Sequence, residues 1–366
     1  MAEMVEILKV AVDKKASDIH VVVGKPPMVR IRGEIQSLDE FPVVAPDESK
    51  RIIYSILFED QRRKFEEDGE LDSSTVVPKV ARFRVNVFLQ KNGVEAVLRV
   101  IPTIIPSPEE IELPPQITSL ADLPKGLVLV TGPTGSGKST TLACLLNLIN
   151  TKHKHNIITV EDPIEFVYEH KNSIVRQREI GQHTKSFATA LKYALRQDPD
   201  VLLVGEMRDL ETIGAAITMA ETGHLVFATL HTQDAAQTVD RVIDVFPPHQ
   251  QQQVRVQLAS TLKAVVSQIL VPRCDMPGRA AAREIMTVTP AIANLIREGK
   301  THQLYNAIDT GTKFGMISMD KALIALVQAG RVSTEDAAAK AANPDYVRSG
   351  GKTVMATGGP GSYAAH

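Results

Sequence analysis

Nine consecutive residues constrain this chain more than anything else in it. Residues 132–140 read GPTGSGKST, with Gly132, Gly137, Lys138 and Ser139 in a GxxxxGKS/T pattern. An apolar run, Leu127 to Val130, leads in, and TTLACLLNLIN leads out with helical apolar spacing. A strand that turns through glycines directly into a helix leaves backbone N–H groups unpaired and converging, the arrangement that surrounds phosphate oxygens. A glycine-rich turn with no ligand would give Lys138 and Ser139 no reason to sit together at a helix start. Phosphate is therefore expected on Gly132, Pro133, Thr134, Gly135, Ser136, Gly137, Lys138, Ser139 and Thr140. Lys138 should reach the β and γ phosphates, and the Ser139 hydroxyl should ligate magnesium. No NKxD segment points to guanine, so the expected nucleotide is ATP.

The same strand-then-helix pattern repeats. GLVLVTG, IITVED, VLLVGE and LVFATLHT alternate with helical stretches such as FATALKYALR and LETIGAAITMAE. Such alternation implies an α/β domain with a parallel sheet covered by helices on both faces. Ligands of open parallel sheets bind beyond the carboxyl ends of the strands. There IITV ends in Glu161 and Asp162, with Glu165 shortly after; VLLV ends in Gly205 and Glu206; LVFATL ends in His231. Carboxylates placed so can ligate magnesium, directly or through water, or orient the water that attacks the γ phosphate. Each alone would equally fit a helix cap or a solvated strand end. His231 could polarise the γ phosphate. His224 lies roughly 23 Å from it along an extended strand, so the two cannot share an ion. HKH at 153–155 reads as exposed, and no spacing of His and Cys supports zinc.

Residues 1–103 read as a smaller α+β domain. An amphipathic helix at Val5 to Lys15 precedes strands in IHVVVG and MVRIRGEI, and a second helix spans Asp47 to Glu67. ARFRVNVFLQ and VEAVLRVI then form a hairpin around Asn92-Gly93, residues that tolerate positive φ. On the first of these strands Phe83, Val85 and Val87 share one face, and Arg82 and Arg84 the other. A solvated face explains that pattern. A sharper reading has Arg82 or Arg84 reaching a neighbouring subunit's nucleotide, a device worth roughly 10³ to 10⁵ in phosphoryl-transfer rate. Six prolines between Ile101 and Pro124 make residues 104–122 an extended linker. Residues 123–349 form the second domain, helical toward its end, and 350–366 a disordered tail.

Composition narrows the partners. Lys plus Arg is 41 and Asp plus Glu 43, a net charge of −2 without long runs of one sign, which argues against nucleic acid. Two cysteines suffice for neither a disulfide framework nor a four-thiolate zinc site. Neither a signal peptide nor an apolar run of membrane-spanning length is present, so the expected location is the cytoplasm.

These motifs resemble those of the type II secretion and type IV pilus motor ATPases, from ASDIH near the start to about Asn343. GPTGSGKST is similar to the family's Walker A, ITVEDPIEF to its Asp box, DPDVLLVGEMRDLETI to its Walker B, and GHLVFATLHTQDAAQTVDRVID to its His box. The resemblance implies Glu206 as the Walker B acid, Glu165 as general base, His231 at the phosphates, and Arg82 and Arg84 as arginines acting in trans. It also implies a PAS-like domain joined to a RecA-like ATPase domain, in a hexameric ring at the inner membrane that acts on a platform protein and, through it, on the pilin fibre. AIANLIREGK at 291–300 resembles the AIRNLIRE motif of the retraction branch, with Ala293 in place of arginine. An accessory retraction paralogue, an assembly or secretion ATPase, a nucleotide-gated scaffold and a nucleic-acid translocase are the alternatives.

Overall fold

The computed structural model describes residues 3–352 apart from 32, 79, 102 and 103, so the tail from 353 onward lies outside the described residues. Two compact units divide the chain. One takes in the residues up to Ile105 together with Pro163–Val167; the other holds Pro106–Asp162 and everything from Tyr168.

In the first unit, helix α1 (Met4–Asp13) buries Met4, Ile7, Leu8 and Ala11, the i, i+3, i+4, i+7 stripe of an amphipathic helix. Strands β1 (Asp18–Val21), β2 (Met28–Ile31) and β3 (Glu34–Ser37) precede helices α2 (Pro46–Tyr54) and α3 (Glu59–Asp68), and β4 (Glu70–Val77), β5 (Ala81–Gln90) and β6 (Gly93–Ile101) follow. All six strands form one antiparallel sheet in the order β3-β2-β1-β6-β5-β4. Along β5, Phe83, Val85 and Val87 are fully buried while Arg84 faces solvent, the period of two that the sequence shows.

Three local readings change. The helix expected over 47–67 is two helices. Between them the Ser55 hydroxyl donates to the Ile52 carbonyl (2.6 Å), Thr75 donates to the Ile56 carbonyl (3.2 Å), and the Phe58 N–H donates to Gln61 Oε1 (3.0 Å). Side chains thus satisfy the backbone groups that a continuous helix would pair. Strand β4 carries no sequence signal, because it buries Ser74 and Thr75 where an apolar alternation would be legible. The β5–β6 reversal falls one residue early, on Lys91 and Asn92, since Gln90 pairs with Gly93.

The second unit opens with α4 (Pro115–Thr118) and continues through β7 (Gly126–Thr131), α5 (Lys138–Lys152), β8 (Asn156–Glu161), β9 (Ile174–Glu179), α6 (Phe187–Ala194), β10 (Val201–Val204), α7 (Leu210–Glu221) and β11 (Leu225–Leu230). Helices α8 (Ala235–Asp244) and α9 (Pro248–Thr261) lead to β12 (Leu262–Pro272) and β13 (Arg279–Thr287). The chain then turns helical, with α10 (Pro290–Arg297), α11 (Leu304–Thr310), α12 (Met319–Gln328), α13 (Thr334–Ala338) and α14 (Pro344–Arg348). The seven strands are ordered β13-β12-β7-β11-β10-β8-β9. Every pairing is parallel except β12 with β13, so the expected parallel sheet carries an antiparallel edge. Alternate residues of the central strands, among them Leu129, Val160, Val204 and Ala228, pack in one core with Leu191, Ile217 and Val242 of the helices.

The proline-rich segment is not extended throughout. Pro115 occupies the first turn of α4, where its missing N–H costs nothing, and a 3₁₀ turn at Ser119–Asp122 follows. Ile117 is fully buried, and Arg283 of β13 donates to the carbonyls of Ile111 (3.0 Å) and Glu112 (3.1 Å). One carboxylate is also deeply placed. Glu284 of β13 is 2% exposed and accepts from the N–H of Ala235 (2.8 Å), which opens α8, and of Met319 (3.4 Å), which opens α12. Burial pushes its pKa up to about 7.

Candidate active site

Strand β7 ends at Thr131, and the loop after it depends on glycine. Gly132 has φ +137, and a methyl group there would lie 2.2 Å from the Gln268 carbonyl oxygen; Gly135 and Gly137 also take positive φ, +77 and +86. Pro133, Thr134 and Gly135 are exposed at the tip, Ser136 and Lys138 are buried, and Ser139 and Thr140 are half-buried in the first turn of α5. Lys138 Nζ donates to the carbonyls of Gly132 (2.8 Å) and Pro133 (3.1 Å), which folds the ammonium over the loop. The buried Ser136 hydroxyl finds no hydrogen-bond partner among the described residues. An orphaned hydroxyl and a buried lysine on one loop of glycines, at the first turn of a helix, fit a phosphate ligand.

Strands β10 and β11 run parallel to β7, so their carboxyl ends fall at the same edge of the sheet. After β10 the chain passes Gly205, where a methyl group would sit 3.1 Å from the Glu161 Cα, and reaches Glu206. The Thr229 hydroxyl donates to the Gly205 carbonyl (2.5 Å) and the Met207 N–H donates to the Thr229 carbonyl (3.0 Å), tying this turn to β11. Glu206 meets Arg208 at 2.6 Å and His231 Nε2 at 3.2 Å. The Arg208 hydrogen bond holds the Glu206 carboxyl below its ordinary range against the opposing effect of burial, so the group is a carboxylate near neutrality. His231 Nδ1 lies 3.5 Å from Lys138 Nζ. An ammonium can only donate, so Nδ1 accepts and the ring proton belongs on Nε2, aimed at Glu206. Lys138, His231, Glu206 and Arg208 thus form one line of contacts across three strand ends.

The second unit therefore brings together Gly132–Thr140, Glu206 and His231. Glu161 is also at this edge, but it is buried, and its Oε1 accepts from the Thr159 hydroxyl (2.6 Å) and the Gln177 amide (3.2 Å). Glu165, Arg82 and Arg84 belong to the first unit. Glu165 is exposed. Arg82 donates to the Ser74 hydroxyl (2.8 Å), and Arg84 makes a two-pronged bond to Asp72 (3.2 and 2.5 Å). His224 sits at the opposite end of β11, with Nδ1 2.9 Å from the Met219 carbonyl, a turn-holding role. The HKH segment is not simply exposed: His153 and His155 are half-buried and stacked, and His153 pairs with Asp122 at 2.9 Å.

Two residues of this site were not singled out from sequence. Arg208 lies two places after Glu206, and its charge beside the strand-end acid was a legible signal. Gln268 sits inside an apolar run of β12, where no local pattern marks it.

A mostly parallel sheet with a glycine phosphate loop, an acid and a histidine at neighbouring strand ends defines a P-loop ATPase of RecA-like fold, here preceded by a smaller α+β unit. The model of the family "Type II/IV secretion system protein" matches residues 2–358, and the chain belongs to that family. It is 50% identical over 343 residues to the "Type IV pilus retractation ATPase PilT" of Pseudomonas aeruginosa, covering 94% of this chain and 99% of that protein. It is 49% identical over 319 residues to a "Twitching motility protein" of Neisseria gonorrhoeae, covering 87% and 85%. The crystal structure of "the Pilus Retraction Motor PilT and Bound ADP" superposes with a TM-score of 0.90 at 46% identity, covering 95% of this chain and all of that one.

Proposed function

We propose that this chain is the ATP-hydrolysing motor of type IV pilus retraction. The observation that carries the catalytic half is the contact line Lys138–His231–Glu206 beside the phosphate loop. Similarity to the Pseudomonas and Neisseria proteins supports the pilus half. In this reading the backbone of Gly132–Thr140 binds the phosphates of ATP, Lys138 neutralises charge at β and γ, and His231 polarises the γ phosphate. Ser139 and Glu206 would hold magnesium, directly or through water, which would supply positive charge to the reacting phosphate. Glu165 draws the proton from the attacking water. Arg82 and Arg84 act on the nucleotide of the adjacent subunit in a homohexamer at the inner face of the membrane, and the ring turns a membrane platform protein from which pilin subunits are recovered. No helix among the described residues is long and apolar enough to cross a membrane, which accords with a peripheral position.

The deciding experiment is a clean deletion in the source organism, with surface pili counted and surface motility scored. Abundant pili on immotile cells are the expected result. Loss of pili would move the chain to an assembly role.

A further inference from the structure

Gln268 of β12 is 1% exposed, and both ends of its side-chain amide are occupied by the phosphate loop and its helix. The amide nitrogen donates to the Ser136 carbonyl (2.6 Å), and the amide oxygen accepts from the Thr141 hydroxyl on α5 (2.8 Å). A carbonyl can only accept, so the Ser136 bond fixes which way the amide points, and Thr141 completes it. The main chain at the same position closes the loop from behind: Ser267 pairs with Thr131 across the β12–β7 ladder, and its hydroxyl accepts from the Thr131 hydroxyl (2.9 Å). A methyl group on Gly137 would come within 3.0 Å of the Gln268 amide nitrogen, and one on Gly132 within 2.2 Å of its carbonyl oxygen. Gln268 thus stands directly behind two of the loop's three glycines, both of which also take positive φ.

A trans peptide is planar, with its C=O and N–H on opposite sides. Holding the Ser136 carbonyl against Gln268 therefore turns the Gly137 N–H away from Gln268. We propose that Gln268 is a positioning residue of the nucleotide site, whose side-chain amide orients the Ser136–Gly137 peptide so that its N–H meets phosphate. This inference rests on the nucleotide-binding reading above. The N–H groups of such a loop meet phosphates that are present before, during and after hydrolysis, so the contribution of Gln268 is equal in ground and transition states. It belongs in KM and in product affinity, not in kcat.

The test uses the purified full-length protein and Gln268→Met, which keeps the packing and loses both amide bonds. The KM for ATP and the Kd for ADP are expected to rise together by about tenfold or more, with kcat at saturating ATP within about threefold of the parent. Unchanged KM and Kd would overturn the proposal, and so would a fall in kcat at unchanged KM, the signature of a merely weakened fold. Thr141→Val removes only the hydroxyl that meets the amide oxygen and carries the same test should Gln268→Met be insoluble; its expected rise is about threefold in both constants. Parent protein that binds ADP without hydrolysing ATP would defeat the motor reading, while the ADP comparison would still decide the role of Gln268.

Discussion

The ammonium of Lys138 and Nδ1 of His231 lie 3.5 Å apart, although 93 positions separate them in the chain. His231 in turn faces Glu206 across 3.2 Å. A phosphate that draws the lysine toward itself changes what the imidazole accepts, and through the ring what the carboxylate accepts. The cation proposed to meet the nucleotide and the acid proposed to manage its hydrolysis thereby share one intermediary.

Removing either end of that line is expected to stop the chemistry by different routes. Lys138→Ala should lower kcat/KM for ATP by about 10²–10³-fold, the cost of losing one preorganised charged donor. Glu206→Gln should lose turnover by a similar factor and retain ADP binding, because the phosphate loop and Lys138, proposed to hold the nucleotide, are left intact. Phosphate release and ADP titration on the same preparations separate the two.

Arginines acting in trans make a prediction about mixtures. Arg84→Ala and Glu206→Gln proteins, each inactive alone, are expected to regain part of the parent ATPase rate when mixed under conditions that exchange subunits. A site with an intact Glu206 can then meet an intact Arg84 from a neighbour. Mixtures no more active than their components would leave Arg84 out of the neighbour's site, with its bond to Asp72 a contact within its own sheet.

Two loop glycines that both take positive φ, +77 at Gly135 and +137 at Gly132, should differ sharply in their tolerance of a methyl group. At Gly135 the space is open, and Gly135→Ala meets only the positive-φ penalty, about 1–2 kcal/mol. At Gly132 the methyl would strike a backbone oxygen, and backbone cannot swing aside. Thermal melting with and without ADP checks this: Gly132→Ala should melt lower than Gly135→Ala and lose the stabilisation by ADP.

Glu284 gives the stability a pH signature. Its folded pKa of about 7 lies above its ordinary 4.5, with burial the leading cause and the nearby Asp234 and Asp320 charges adding to it. The folded state therefore keeps a proton that the unfolded chain has released, and stability from this group is full below pH 4.5 and declines as pH rises through 7, by about 1 kcal/mol per pH unit at most. Melting temperatures at pH 5 and 7.5 should fall less in Glu284→Gln than in the parent. Equal falls would show that the carboxyl does not titrate in that window.

What could be read from sequence was whatever repeats locally. The strands leading to Gly132, Glu161, Glu206 and His231 announce themselves as continuous apolar runs ended by polar residues, so the edge of the sheet that carries the site was legible. The break at Ser55–Phe58 was not, because it is made by side chains reaching back from Thr75 and Gln61. Nor was the antiparallel pair β12–β13, two consecutive strands joined through residues 273–278. Gln268 is the sharpest case. Within LKAVVSQILVP it reads as a polar interruption of a strand, and its meaning lies in contacts 127 and 132 positions away.

The buried carboxyl of Glu284 has a mechanical consequence as well. Its two oxygens serve two clients, the opening turn of α8, four residues after His231, and the opening turn of α12 among the C-terminal helices. Sliding one helix past the other would strand a backbone N–H in a dry interior, a cost with no halfway value. In the ring proposed above, a load on the C-terminal helices would reach the histidine turn as a latch does, held or released.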